Sequence, residues 1–191
     1  MRPNVRFAHL ELHGKTLKMS LKPPPNYLAG YAPHLTEQVH NLIHQGRFGE
    51  VLLAKYPEAH SIRTDKALYE YVTALKNSYL RKAPAFNRVV FDSKLHLTHK
   101  ALGTHTRKSA VHGAKLKAKK EMHIASLFKE MPLAFLRMIV VHELAHTREQ
   151  EHNKAFYQMC LHMEPNYHQL EFDLRAYLVY LEHTDAALWT R

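Results

Sequence analysis

The chain has 191 residues, of which 46% are hydrophobic, and a formal net charge of +10 at pH 7. This length and apolar content favour a globular protein with a sizeable core. Cys160 is the single cysteine, which excludes an internal disulfide and fits a reducing compartment. No run approaches the ~18 apolar residues of a membrane span, and the amino end lacks the apolar core of a secretory signal. A cytoplasmic protein with no membrane partner is therefore expected.

Residues 1–26 are predicted to form an amino-terminal extension. Apolar and polar residues alternate between residues 7 and 21, which is typical of a hairpin, and a run of three prolines then forms a stiff linker. Residues 27–191 are predicted to form a single domain.

Helical patterns follow in the first half of this domain. We predict helices over residues 35–45 and 50–56, ended by Gly46 and Pro57 respectively. A longer helix is predicted over residues 65–81, where apolar residues recur at helical spacing and are best interpreted as core.

The apolar period then changes from helical spacing to alternate residues. This change predicts strands over residues 88–91, 95–99 and 121–127. Residues 114–118 alternate in the same way, with small or apolar residues between lysines, so one face of this strand is all lysine.

The segment 94–120, called the basic segment below, contains eight basic residues and no acid. One interpretation is an exposed edge strand that its lysines protect from aggregation. The other is an electropositive wall of a cleft, which would bind an anionic partner such as a nucleotide or a nucleic acid. On that second interpretation the candidate substrate-binding residues are Arg107, Lys108, Lys115, Lys117 and Lys119.

The most informative motif is HELAHTREQEH at residues 142–152. Pro132 suits a first helical position, and the residues after it are apolar on nearly every side, which predicts a buried helix. His142 and His146 are four residues apart and share one helix face, so both can bind one metal ion, while Glu143 can act as general base on a water. The alternative is a pair of core histidines bonded to backbone carbonyls.

A third ligand completes the set that zinc prefers in hydrolytic sites. His152 is the nearest choice, at the same six-residue step from His146 that metzincins use, although Glu149 stands where those proteins have a glycine. Glu164 and Glu171 are the alternatives, on later helices. The expected cofactor is one Zn²⁺ ion, with another divalent transition metal as the alternative.

Two further helices are predicted after the motif. One covers residues 154–163 behind an Asn153 cap, where Cys160 and Met163 are interpreted as core residues. The other presents a leucine-rich face to the core. Candidates for a donor that stabilises transition-state charge are Arg137, Tyr157, Tyr167 and His168, and the sequence does not rank them.

The stretch from His142 to Leu178 resembles the YgjP-like metallopeptidase family, which is related to SprT-like zinc proteases. The shared features are HELxH, the third histidine, an aromatic residue four positions later at Phe156, and the step from Pro165 to Tyr167. The resemblance extends over about residues 27–182. It implies an α+β, zincin-like fold in which a small, mostly antiparallel sheet packs on the active-site helix, with further helices on both sides. It also implies zinc on the three histidines and Glu143 as the general base.

Three functions are compatible with these residues. The first is a zinc metallopeptidase that cleaves an extended peptide or protein substrate laid beside the strand at residues 121–127. The second is a metal-dependent nucleoside-triphosphate pyrophosphohydrolase, for example on UTP, for which the basic segment would hold the phosphates. The third is a nucleic-acid-associated protein in which zinc is structural and the lysine face contacts phosphates.

Overall fold

The computed structural model describes residues 26–95, 103–112 and 115–189. The predicted amino-terminal hairpin and proline linker therefore lie outside the described residues. Within them, no helix has the length and apolar character needed to cross a membrane.

Three helices open the described chain, close to the predicted positions. They are α1 (Pro33–His44), α2 (Phe48–Lys55) and α3 (Asp65–Tyr79). Proline at the first position of α1 loses no hydrogen bond there, and Gly46 beyond its end adopts a φ of 69°, which glycine tolerates. The Thr64 side chain caps α3 by accepting a hydrogen bond from the Ala67 amide.

A three-stranded sheet comes next, with strands β1 (Arg88–Asp92), β2 (Gly103–His112) and β3 (Lys115–Ala125). The strand order is β1-β3-β2; β1 runs parallel to β3 and β2 runs antiparallel to it. The sheet is therefore mixed, and together with the helices it confirms the predicted α+β class.

The strands differ from the predictions in three places. β2 was not predicted, and β3 joins two predicted segments into one strand that ends at Ala125. Residues Ser126–Glu130 form a 3-10 helix, so the end of the strand predicted over 121–127 is wrong. Leu95 lies in no strand, and the rest of the strand predicted over 95–99 lies outside the described residues.

Three helices complete the fold: α4 (Leu133–Ala145), α5 (Lys154–Met163) and α6 (Tyr167–Thr184). α4 is the centre of the core, since every residue from Met138 to Ala145 is buried. It packs against α5 and α6 on one side and against β2 and β3 on the other. Met122 and Ile124 of β3 are fully buried on the sheet side. The HELAH motif therefore forms the last turn of a helix enclosed by the rest of the fold.

Candidate metal centre

The end of α4 brings His142 and His146 to one place. The helix ends at Ala145, and residues 146–148 form a turn in which the Glu149 amide donates to the Ala145 carbonyl at 3.0 Å. Among the described residues, φ is positive at Gly30, Gly46 and Asp185, so Glu149 makes this turn without the left-handed conformation that favours glycine. This explains how the turn forms without the glycine of the metzincin pattern.

The turn places His152 beside the other two imidazoles. The Nε2 atoms of His142 and His146 lie 3.1 Å apart, those of His146 and His152 3.1 Å, and those of His142 and His152 3.3 Å. Among the described residues, these three form the one group of potential ligands close enough to share an ion. Nitrogen ligands at ~2.0–2.1 Å around a tetrahedral zinc are about 3.3–3.4 Å apart, so the cluster fits such an ion.

Hydrogen bonds on the far side of the rings suit metal binding. Nδ1 of His146 lies 2.9 Å from the Glu149 carbonyl oxygen, which can only accept, so this Nδ1 carries the proton and Nε2 carries the lone pair. Nδ1 of His142 lies 2.6 Å from the Tyr167 hydroxyl. Both histidines thus have an outer partner that holds the ring in place.

Burial keeps these imidazoles neutral. It lowers the pKa of His142 well below its ordinary value, and the neighbouring His146 and His152 add to the effect. Burial also lowers the pKa of His146. Because a metal binds the neutral form of imidazole, the site is suited to an ion at neutral pH.

Glu143 lies on the same turn of α4 and is only 1% exposed. Its Oε2 atom has no hydrogen-bond partner among the described residues. Burial raises the pKa of this carboxyl to about 8. An unsatisfied buried carboxyl oxygen is costly to stability, so the fold retains an acceptor that a bound ligand can satisfy.

The alternative third ligands are both held by arginines. Glu164 accepts a hydrogen bond from Nε of Arg137 at 2.5 Å, and Glu171 accepts one from Nη2 of Arg175 at 2.7 Å. These two carboxylates are absent from the cluster, whereas His152 belongs to it. The described geometry therefore favours His152 over both.

The candidate donors for transition-state charge lie in different surroundings. The Tyr167 hydroxyl already forms a hydrogen bond with His142, and the Arg137 guanidinium already donates one to Glu164. Tyr157 is half-buried, with its ring centroid 6.3 Å from that of His152 and 5.1 Å from that of the exposed His168. Tyr157 and His168 are therefore the candidates that these two contacts leave available.

The basic segment lies mainly on β2 and β3. In register, Arg107 pairs with Lys120 and Lys108 with Lys119. Further along β3, Met122 and Ile124 are fully buried. The role of the basic segment in binding stays a prediction.

The sheet also bears on where an extended peptide could bind. Over Glu121–Ala125, β3 is paired with β1 on one side, and residues Glu121–Ile124 are paired with β2 on the other. A strand with both edges occupied has no free backbone groups for a substrate. Over Glu121–Ile124 this strand therefore offers no backbone edge for the predicted peptide. Residues Lys115–Lys119 of β3 pair with β2 but not with β1, so the interpretation of that segment as an edge strand stays open.

A buried helix ending in HELAH, a third imidazole from the next turn and a buried carboxyl group are the features of an HExxH-type metallohydrolase. The chain belongs to the YgjP-like metallopeptidase family, whose domain model matches residues 12–177. It is 56% identical over 155 residues to a protein of Escherichia coli (strain K12) named UTP pyrophosphatase, a match that covers 81% of this chain and 93% of that protein. No solved structure gives a significant match. The family and this relative both point to a hydrolase.

Proposed function

We propose that the chain is a metal-dependent nucleoside-triphosphate pyrophosphohydrolase that converts UTP and water into UMP and pyrophosphate. The hydrolytic chemistry rests on the three Nε2 atoms 3.1–3.3 Å apart beside the buried Glu143. The choice of UTP as the substrate is based on the 56% identity to a protein named UTP pyrophosphatase.

In this proposal His142, His146 and His152 hold one divalent ion, zinc or another transition metal. The ion supplies Lewis acidity and lowers the pKa of water. Glu143 takes a proton from the attacking water, whose oxygen bonds to the α-phosphorus as the bond between the α-phosphorus and the bridging oxygen breaks. Glu143 is suited to accept that proton because it lies beside the imidazole cluster and its Oε2 atom has no partner among the described residues. Pyrophosphate leaves and UMP is the second product.

The basic segment is the proposed site for the charge of the triphosphate. It contains eight basic residues without an acid, and Lys108 and Lys119 are directly opposite one another in the sheet. An anionic partner would offset the repulsion expected between like charges at opposite register positions.

Peptide hydrolysis is the second candidate, favoured by the metallopeptidase domain that gives the family its name. Because β3 is paired on both sides at Glu121–Ile124, an extended peptide would need another edge, such as the outer edge of β1 or β2 or the part of β3 before Glu121. The preference for the nucleotide hydrolase therefore rests on the relative named UTP pyrophosphatase.

The test is pyrophosphate release from a panel of nucleoside triphosphates, measured with several divalent metals. We expect release from UTP, and we expect Glu143→Gln to keep its metal but lose about 10²–10⁴-fold in rate, as loss of a general base predicts. Glu151→Gln, a change of an exposed acid beside His152, is the matched control and should keep its rate.

Release of pyrophosphate from no nucleotide with any divalent metal would remove the proposal. Cleavage of a peptide library by the same preparation, lost in Glu143→Gln, would establish the peptidase instead. A Glu143→Gln variant with normal activity on either substrate would refute the role given to Glu143.

A further inference from the structure

Two aromatic side chains lie beside the imidazole cluster without belonging to it. The ring centroid of Tyr157, a half-buried residue of α5, lies 6.3 Å from that of His152. It lies 5.1 Å from that of His168, an exposed residue in the first turn of α6. Two helices therefore bring a tyrosine and a histidine together next to the most exposed of the three candidate ligands.

Buried rings hold Tyr157 in place. Its ring centroid lies 5.3 Å from that of Phe156 and 6.3 Å from that of Tyr167, and both of these neighbours are fully buried. Tyr157 is thus supported by the core but still partly accessible to solvent. A ring that is already held in place loses little conformational freedom when a flat ligand stacks on it, which favours binding.

The proposed substrate requires a contact of this kind. The metal and the basic segment would contact the triphosphate, a group that UTP shares with inorganic triphosphate. One ribose joins the α-phosphate to the base, so the site for the base must lie one sugar's length from the metal. Tyr157 meets this condition because its ring is next to that of His152. Aromatic side chains commonly bind unpaired bases by stacking on them.

A cavity of about 650 Å³ farther along α6 is the rival place for the base. Its lining on α6 begins at Leu178, which is about 15 Å along the helix axis from His168. A base joined through one ribose to a phosphate at the metal does not reach that far. Glu182 and Asp185 also line the cavity, and their carboxylates would repel a triphosphate.

We propose that Tyr157 and His168 form a nucleobase subsite, in which the uracil ring of UTP stacks on Tyr157 while the α-phosphate lies at the metal. Tyr157 is then a specificity-determining residue that contacts the base, and His168 borders the same subsite. The subsite rests on the proposed function, because it presupposes a nucleotide bound at the three imidazoles.

The test compares two ligands that differ in the base alone. UMP carries uracil on ribose 5-phosphate, whereas ribose 5-phosphate itself has a hydroxyl in its place. Isothermal titration of the metal-bound protein gives a dissociation constant for each, and their ratio measures the contribution of the base. The variants are Tyr157→Phe, Tyr157→Leu and His168→Ala. Tyr79→Leu is the matched control, since Tyr79 contacts His162 at a ring distance of 5.5 Å away from the imidazole cluster.

We expect the wild type to bind UMP about 5–150-fold more tightly than ribose 5-phosphate, the range that base–aromatic stacking supplies. Tyr157→Phe should keep this preference because it keeps the ring, and Tyr157→Leu should lose most of it. His168→Ala should lose a smaller part. Tyr79→Leu should match the wild type, and none of the variants should change the affinity for ribose 5-phosphate.

The subsite would be overturned if the wild type bound the two ligands equally, or bound neither. A wild-type preference in Tyr157→Leu would also overturn it. Slower pyrophosphate release in Tyr157→Phe, together with that unchanged preference, would instead make the Tyr157 hydroxyl a donor to the transition state. If Tyr157→Leu did not fold, an unchanged preference in His168→Ala would overturn the subsite, and a reduced one would support it. If no nucleotide released pyrophosphate, the proposed function would fail, while the two dissociation constants would still decide the subsite.

Discussion

The end of α4 and the β2–β3 ribbon present their polar residues in opposite ways. On α4, His142 and Glu143 are buried at 8% and 1% exposure, and the imidazole nitrogens converge within 3.3 Å. On the ribbon, basic residues pair along the strands, and Lys120 is half-buried. Packing thus holds the candidate metal ligands and Glu143 together at one place in the core, whereas the charge of the ribbon is spread along two strands.

This contrast predicts that substitutions at the end of α4 abolish metal binding or hydrolysis. Substitutions on the ribbon should instead change the affinity for an anionic substrate. Removal of a buried group that has a partner is costly, whereas a single exposed charge contributes little by itself. The following substitutions test the contrast from the largest expected effect to the smallest.

His146→Ala should have the largest effect. Loss of one of three imidazoles should lower metal affinity more than the ~10–100-fold typical of an outer-shell change, and hydrolysis should be lost with it. The measurements are elemental analysis of the purified protein and pyrophosphate release. His162→Ala, an exposed histidine in the last turn of α5, is the control. Full metal occupancy in His146→Ala would show that the cluster is not the metal site.

Glu164→Gln should separate a structural carboxylate from a ligand. Its ion pair with Arg137 joins α4 to the end of α5, and Arg137 also donates to the Met163 carbonyl at 2.6 Å. Loss of the negative charge should lower the free energy of unfolding by about 1–3 kcal/mol, measured by urea denaturation, with metal content unchanged. Glu70→Gln on α3, which is exposed, should be neutral. Loss of metal in Glu164→Gln would restore Glu164 as a ligand.

The same contrast explains what the sequence could predict. The helices, the α+β class and the position of the imidazole pair follow from periodicity and capping, which involve residues close together in the chain. β2 escaped prediction because the sequence GTHTRKSAVH does not alternate apolar and polar residues, and its pairing partner lies in β3. The contact of His142 with Tyr167 spans 25 residues, so it depends on how α6 packs on α4. No local pattern contains that information.

Cys160 should make stability depend on alkaline pH. Burial raises the pKa of its thiol to about 12, with a further contribution from Glu171. An unfolded thiol titrates near about 8.5, so the stability gained from the neutral buried thiol is complete below about pH 8.5 and is lost as pH rises toward 12. Relative to Cys160→Ser, the free energy of unfolding of the wild type should fall by up to about 1.4 kcal/mol per pH unit above about pH 9. Urea denaturation at several pH values measures this, and parallel profiles for the two proteins would contradict it.

Lys119→Glu should have the smallest effect and tests the ribbon directly. Lys108 and Lys119 are directly opposite in register, and like charges in such pairs are destabilising, so the substitution should raise the free energy of unfolding by about 0.2–1 kcal/mol. If the pair serves an anionic substrate, the same change should also raise KM for UTP, and the difference from wild type should shrink as salt is added. Lys66→Glu on α3 makes the same charge change at an exposed residue outside the ribbon. An equal rise of KM in both variants would mean that net charge is what matters, and no rise in Lys119→Glu would leave the ribbon without a part in substrate binding.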